Sequence, residues 1–202
     1  MSSSYHHGSL ASALLDAAGE ELSATGIEAF SLRSVAKRAG VSHGAPAHHF
    51  KGKNGLLTAL AAAGYKELVD VQNEHQKTAK SEELAQLVAS GIGYIDFAMK
   101  NPELFRLMFA SSKPDRSDDD FSAASRAAFD KLVGEIRSIL GADPYSDRAA
   151  MTQVMASWSM VHGLAELVIS GRMEIPFGFS QLNQQDREAI FEDILVRALK
   201  RN

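Results

Sequence analysis

The chain has 202 residues, no cysteine and a formal net charge of -4 at pH 7. That excludes a disulfide framework, thiolate metal clusters and cysteine nucleophiles. With 30 Ala and 20 Leu against 19 Val plus Ile and 4 Thr, the composition favours helix over sheet. No apolar run approaches the roughly 20 residues that span a bilayer. Met1 to His7 lacks the basic start and apolar stretch of a signal peptide. The expectation is a cytoplasmic, helical protein with no membrane contact.

Along the chain, Leu10, Leu14, Leu15, Ala18 and Leu22 repeat at helical spacing, and Gly26 stops that helix. Ser31 is placed to cap a short helix from Leu32 to Ala39, with Val35, Ala36 and Ala39 facing inward. Gly40 ends it. Ser42 is then expected to cap a second short helix, about His43 to His49. Only Gly40-Val41-Ser42 separates the two, which is the arrangement of a helix-turn-helix. A longer helix starts near Lys53 and runs through Leu56, Leu57, Leu60 and Leu68 to about Gln76. Ser81 opens the next, with Leu84, Leu87, Val88, Gly91, Ile95 and Ala98 on one side. Asn101-Pro102 starts a short helix through Phe109. The polar stretch Ser111 to Asp120 reads as a loop. Ala128, Phe129, Leu132, Ile136 and Ile139 mark a helix ending at Gly141. Asp147 to Gly171 is a long apolar helix carrying Met151, Val154, Met155, Trp158, Val161, Ala165 and Val168. Residues 172 to 185 read as loop. Asp186 begins a last helix striped by Ile190, Phe191, Ile194, Leu195, Ala198 and Leu199. The expectation is an all-α chain of about nine helices.

The charge is unevenly placed. Between Ala29 and Lys66 stand six cations, Arg33, Lys37, Arg38, Lys51, Lys53 and Lys66, and no Asp or Glu. His43, His48 and His49 lie there too. The rest of the chain holds 15 basic and 25 acidic residues, a balance of -10. An acid-free cationic block in an acidic protein points to a local anion-binding face.

Catalytic chemistry has little footing. There is no Gly-x-Ser-x-Gly elbow and no phosphate-cradling glycine loop. The adjacent pairs His6-His7 and His48-His49 diverge on a helix and chelate poorly. His162 and Glu166, spaced i, i+4, could form an acid-base pair or share a metal, but that spacing more often gives a side-chain bond within a partly buried helix. No cofactor and no metal are expected. Nucleic-acid binding fits better. In a helix-turn-helix the second helix enters the major groove and the first braces it. Residues 42–50 give that helix a small-residue leading edge, and imidazoles can donate to phosphate or to guanine acceptors. Val35, Val41 and Phe50 are expected to hold the three helices together.

The run from Ser31 to Ser42, then Gly44-Ala45-Pro46, then His49-Phe50-Lys51-Gly52-Lys53-Asn54-Gly55-Leu56-Leu57, resembles the DNA-binding domain of TetR-family transcriptional regulators. Tyr5 to Leu10 is similar to the tail that opens many members. Trp158-Ser-Met-Val-His162-Gly163 is similar to the Trp-His-Gly signature of one C-terminal domain class in that family. The resemblance implies a homodimer with an N-terminal three-helix DNA-binding domain, taken as residues 1–55. A helical regulatory and dimerisation domain follows, taken as 56–202. Carried over position by position, Arg33, Ser42, His43, Ala45, Ala47, His48, His49 and Lys53 fall where members touch DNA. Members usually have Tyr where this chain has Ala47. That loses a backbone contact, for which His48 or His49 is the replacement at hand.

The implied function is ligand-controlled binding of a double-stranded operator, with repression the commonest outcome and activation its alternative within the same architecture. Two readings of another class are an all-helical enzyme using His162 and Glu166, and an interaction module with no DNA role. The effector is expected to be a small, largely neutral hydrophobic molecule. Its expected lining is Tyr94, Phe97, Phe105, Met108, Phe109, Phe129, Met155, Trp158 and His162. Ile190, Phe191, Ile194, Leu195 and Ala198 are expected at the dimer interface, paired with the helix around Trp158.

Overall fold

The computed structural model describes residues 4–199, with side chains from Leu10 onward. Ten α-helices follow in order: α1 Ser4–Ala29, α2 Leu32–Arg38, α3 Ala45–Phe50, α4 Lys53–Thr78, α5 Glu83–Lys100, α6 Pro102–Phe109, α7 Asp119–Leu140, α8 Arg148–Ile169, α9 Glu174–Phe177 and α10 Gln184–Leu199. Among the described residues there is no strand. Nine of these helices are the ones the periodicity predicts. The tenth, α9, lies with a 3-10 turn at Phe179–Gln181 inside the segment expected to be loop. A single turn is too short to show a period, and Pro176 and Gly178 read as breakers. Pro176 is tolerated because first-turn N–H groups have no intrahelical acceptor.

Local chemistry explains most ends. Gly26, at φ 72 and ψ 174, breaks the helical path of α1 where a stop was expected. Asp147 caps α8, its carboxylate accepting from the N–H groups of Ala149 at 2.8 Å and Ala150 at 3.1 Å. Ser31 holds the extended conformation of a cap residue ahead of α2, without a side-chain cap bond. The expectation for Ser42 needs correction. The helix begins at Ala45 with Gly44 before it, because residues 42–45 are spent on a turn in which the Ala45 N–H donates to the Ser42 carbonyl at 3.0 Å.

The chain forms two compact units, residues 4–66 with 101–125 and residues 67–100 with 126–199. The sequence-level division at residue 55 followed the helix-turn-helix alone. The first unit also takes in α6, which packs on α1. Its core is built from Leu14, Leu22, Phe30, Val35, Leu56 and Leu57, together with Phe105 and Met108 of α6. Tyr65 crosses this core. Its hydroxyl donates to the Met108 carbonyl at 3.2 Å, and its ring meets Phe109 and Phe121 edge-on at 5.4 and 5.6 Å. Burial pushes its phenol up, and Arg116 opposes the shift.

In the second unit, α5 packs on α8 and α10. Leu87, Val133, Ile136 and Val154 form a dry cluster, flanked by Phe129, Leu132, Ile139, Met151 and Leu199. A polar clasp ties the end of α4 to this unit. Gln76 Nε2 donates to the Gln86 carbonyl at 3.0 Å and to Glu135 at 2.9 Å, while Lys131 donates to both Gln76 and Glu135.

Candidate DNA-binding surface and regulatory core

α2 has seven residues and α3 six, so neither is stable by itself, and tertiary seating must hold them. Val35 and Ala36, both fully buried, seat α2. Its end is closed by two backbone bonds. The Gly40 N–H donates to the Lys37 carbonyl at 3.3 Å and the Val41 N–H to the Ala36 carbonyl at 3.0 Å. This stop needs a left-handed residue, and Gly40 supplies it at φ 67. The chain then turns through Ser42 into α3, where the buried Pro46 stands in the first turn. Lys51, left-handed at φ 57, closes α3.

This geometry leaves Arg33, Ser42, His43, Ala47 and His48 exposed, with Ala45, His49 and Lys53 half-buried. His49 lies edge-on to Phe50 at 4.8 Å, and the Lys53 ammonium stands 5.8 Å from the centre of the Phe30 ring. Of the three residues expected to bind the helices together, Val35 is fully buried and Val41 and Phe50 are half-buried. One cation of the block is spoken for. Arg38 Nε donates to Glu21 of α1 at 2.8 Å, and Glu21 is only 3% exposed. Sequence reasoning missed this pair. Its signal was present, since Glu21 falls seven residues after Leu14, on the helix face that carries Leu14, Ala18 and Leu22 into the core.

The residues expected to line an effector site divide between the units. Phe105, Met108 and Phe109 belong to the core around Tyr65 in the first unit. Tyr94, Phe97, Phe129, Met155, Trp158 and His162 belong to the second. There the Tyr94 hydroxyl and His162 Nδ1 share a hydrogen bond of 2.8 Å. Trp158 meets His162 edge-on at 6.4 Å and Phe129 at 5.9 Å. Burial pulls the His162 imidazole below its ordinary value, and the Glu166 carboxylate acts in the opposite sense. Phe97 is fully buried, whereas Met155 is 42% exposed. No group of three or more His, Asp or Glu able to hold a metal occurs among the described residues.

On α10, Phe191 and Leu195 are buried within the chain, Phe191 against Phe179 at 5.6 Å and Leu195 against Gly91 of α5. Ile190 and Ile194 are half-buried and Ala198 is exposed. Beyond exposed Arg148 in its first turn, α8 turns an uncharged face to solvent, made of Thr152, Met155, Ala156, Ser159, Gly163 and Leu167.

Comparison with known proteins places this architecture. Residues 14–60 match the model of bacterial regulatory proteins of the TetR family. Residues 87–198 match a tetracycline-repressor-like C-terminal domain. The HTH-type transcriptional regulator BetI of Paraburkholderia phytofirmans is 28% identical over 167 residues, 68% of this chain and 86% of that protein. A protein of unknown function from Rhodococcus sp. RHA1 is 27% identical and superposes with a TM-score of 0.74, covering 97% of this chain and 94% of its own. A TetR-like transcriptional regulator from the same organism, 16% identical, shares the fold with a TM-score of 0.62 over 95% of this chain and 96% of its own. No described helix is long and apolar enough to cross a membrane. With both family domains present and a helix-turn-helix whose outer face is acid-free, the chain belongs to the TetR family and is a DNA-binding transcriptional regulator, not an enzyme.

Proposed function

We propose that the protein is a repressor that binds an inverted-repeat operator as a homodimer and is released by a small hydrophobic effector. The observation that carries this is the solvent face of α2, α3 and their turn. Arg33, Ser42, His43, Ala47 and His48 are exposed there, with no carboxylate between Ala29 and Lys66. Arg33 and Lys53 supply cations for phosphate, and Ala45 and Ala47 let the α3 backbone approach base edges. Where members of the family usually have Tyr, His48 is the replacement that supports contact with the DNA backbone. It is exposed, whereas His49 leans on Phe50. Two copies must hold their α3 helices about 34–36 Å apart to meet successive major grooves.

The dimer reading rests on the uncharged stretch of the outer face of α8 from Thr152 to Leu167, with Ile190, Ile194 and Ala198 of α10. Paired across a two-fold axis, the two helices of each copy make a four-helix interface. The effector reading rests on the second unit, where Tyr94, Phe129, Trp158 and His162 combine aromatic surface with one polar pair. An effector that favours a different spacing of the reading helices lowers DNA affinity by linkage. α4 is the route for that coupling, because it carries Lys53 at one end and the Gln76 clasp at the other.

Selection of bound duplexes from random DNA tests the reading. It should return an inverted repeat whose affinity falls steeply with salt. Recovery of no common sequence, or binding indifferent to salt, would overturn it. A true effector should shift Trp158 fluorescence, raise the melting temperature and weaken operator binding together.

A further inference from the structure

Glu21 is an acid inside the core of a DNA-binding unit. It sits on the α1 face that carries Leu14, Ala18 and Leu22, all three buried. A carboxyl group taken out of water there needs a partner for its oxygens. That partner is Arg38, the last residue of α2, whose Nε–H reaches Glu21 Oε2 at 2.8 Å. The same guanidinium lies 3.7 Å from the Glu20 carboxylate, so two acids of α1 face one cation of the block.

The position of Arg38 gives the pair its consequence. α2 is seated on its inner face by Val35 and Ala36, both fully buried, but apolar contact carries little directionality. The Arg38–Glu21 bond at its C-terminal end adds a directional restraint against rolling. One residue later begins the stop at Ala39-Gly40-Val41, which sets the direction in which the chain enters α3. A roll of α2 therefore becomes a displacement of α3. We infer that Arg38, although it belongs to the acid-free cationic block, is a positioning residue: buried Glu21 takes its charge and uses it to fix α2, and through the Gly40 turn α3, on α1. The phosphate-facing cations are then Arg33, Lys37, Lys51 and Lys53, without Arg38.

This inference rests on the reading that α2 and α3 meet DNA, and the test separates the two. The full chain is titrated against a duplex selected from random DNA and against a random duplex, over about 0.05–0.3 M salt. Arg33→Ala should lower the magnitude of the salt slope by about one, as loss of a phosphate contact does. Arg38→Ala should weaken binding to the selected duplex about tenfold at an unchanged slope, with binding to the random duplex within about twofold of the parent. Arg38→Lys, which keeps a cation within reach of Glu21, should restore most of the loss. If Arg38→Ala does not fold, Glu21→Gln carries the comparison, since its amide oxygen still accepts from Arg38 Nε. It should show a smaller loss at the same slope. A slope lowered by about one in Arg38→Ala, or parental affinity in both Arg38→Ala and Glu21→Gln, overturns the inference. If Arg33→Ala also leaves slope and affinity unchanged, the DNA-facing assignment itself fails.

Discussion

Replacing Gly40 and Gly44 by alanine, one at a time, isolates backbone strain from packing. A β-carbon added at either glycine meets no heavy atom within 4 Å, so neither substitution causes a clash. The two differ in backbone. Gly40 sits at φ 67, while Gly44 sits at φ -82 and ψ -19. A side chain in the left-handed region costs about 1–2 kcal/mol. Alanine also restricts the unfolded chain, which returns about 0.4–1 kcal/mol at either site. The difference leaves Gly40→Ala destabilised by about 1 kcal/mol, whereas Gly44→Ala, with no strain to offset the gain, is stabilised by up to about 1 kcal/mol. For a chain of this size, 1 kcal/mol lowers the melting temperature by about 2–4 °C. Thermal unfolding followed by circular dichroism, with the protein at matched concentration, measures both. Gly40→Asn should lose less than Gly40→Ala, because Asn tolerates the left-handed region. Equal effects at Gly40 and Gly44 would refute the strain argument. So would a loss above about 3 kcal/mol at Gly40, which would require a clash the open space excludes.

Other outcomes follow from the packing and the charges. Ile136→Ala removes a buried side chain from the Leu87–Val133–Val154 cluster and should cost about 2–5 kcal/mol, against less than about 0.5 kcal/mol for Ile175→Ala, which is 96% exposed, both read by chemical denaturation. Thr58→Val orphans the Asp115 N–H, which donates to Thr58 Oγ1 at 2.9 Å, and should cost about 1–3 kcal/mol by the same measurement. Because burial holds His162 below its ordinary value, the unfolded chain takes up the proton first as pH falls below about 6.5. Its contribution is thus complete above that pH and is lost as pH falls through the folded value. The melting temperature should drop more steeply from pH 7 towards 5 in the parent than in His162→Gln, and parallel profiles would contradict this. Leu167→Arg places a charge on the exposed face of α8 proposed as the dimer interface, and light scattering should return a dimer for the parent and a monomer for the variant.

How far the sequence reached depended on whether a feature was local. Helical period, glycine stops and the short spacing between two weak helices are properties of neighbouring residues, so all nine expected helices and the helix-turn-helix were legible. The family motif covered the same stretch. Where two local signals competed, the boundary moved: Ser42 reads as a cap, but its carbonyl serves a turn and α3 starts at Ala45. The one-turn α9 was hidden because it is shorter than the period that would reveal it. What only tertiary structure decided were pairings between distant segments. α6 carries Phe105, Met108 and Phe109 into the first unit around Tyr65, so aromatic residues that look alike along the chain serve two different cores. Tyr94 and His162 meet 68 residues apart, and Arg38 finds Glu21 17 residues back. A stripe of apolar residues states that a helix has an inner face, not which face of which helix covers it. On α10 that choice buried Phe191 and Leu195 and left Ile190, Ile194 and Ala198 nearer the surface. Burial is a property of the folded surface, which no one-dimensional period contains.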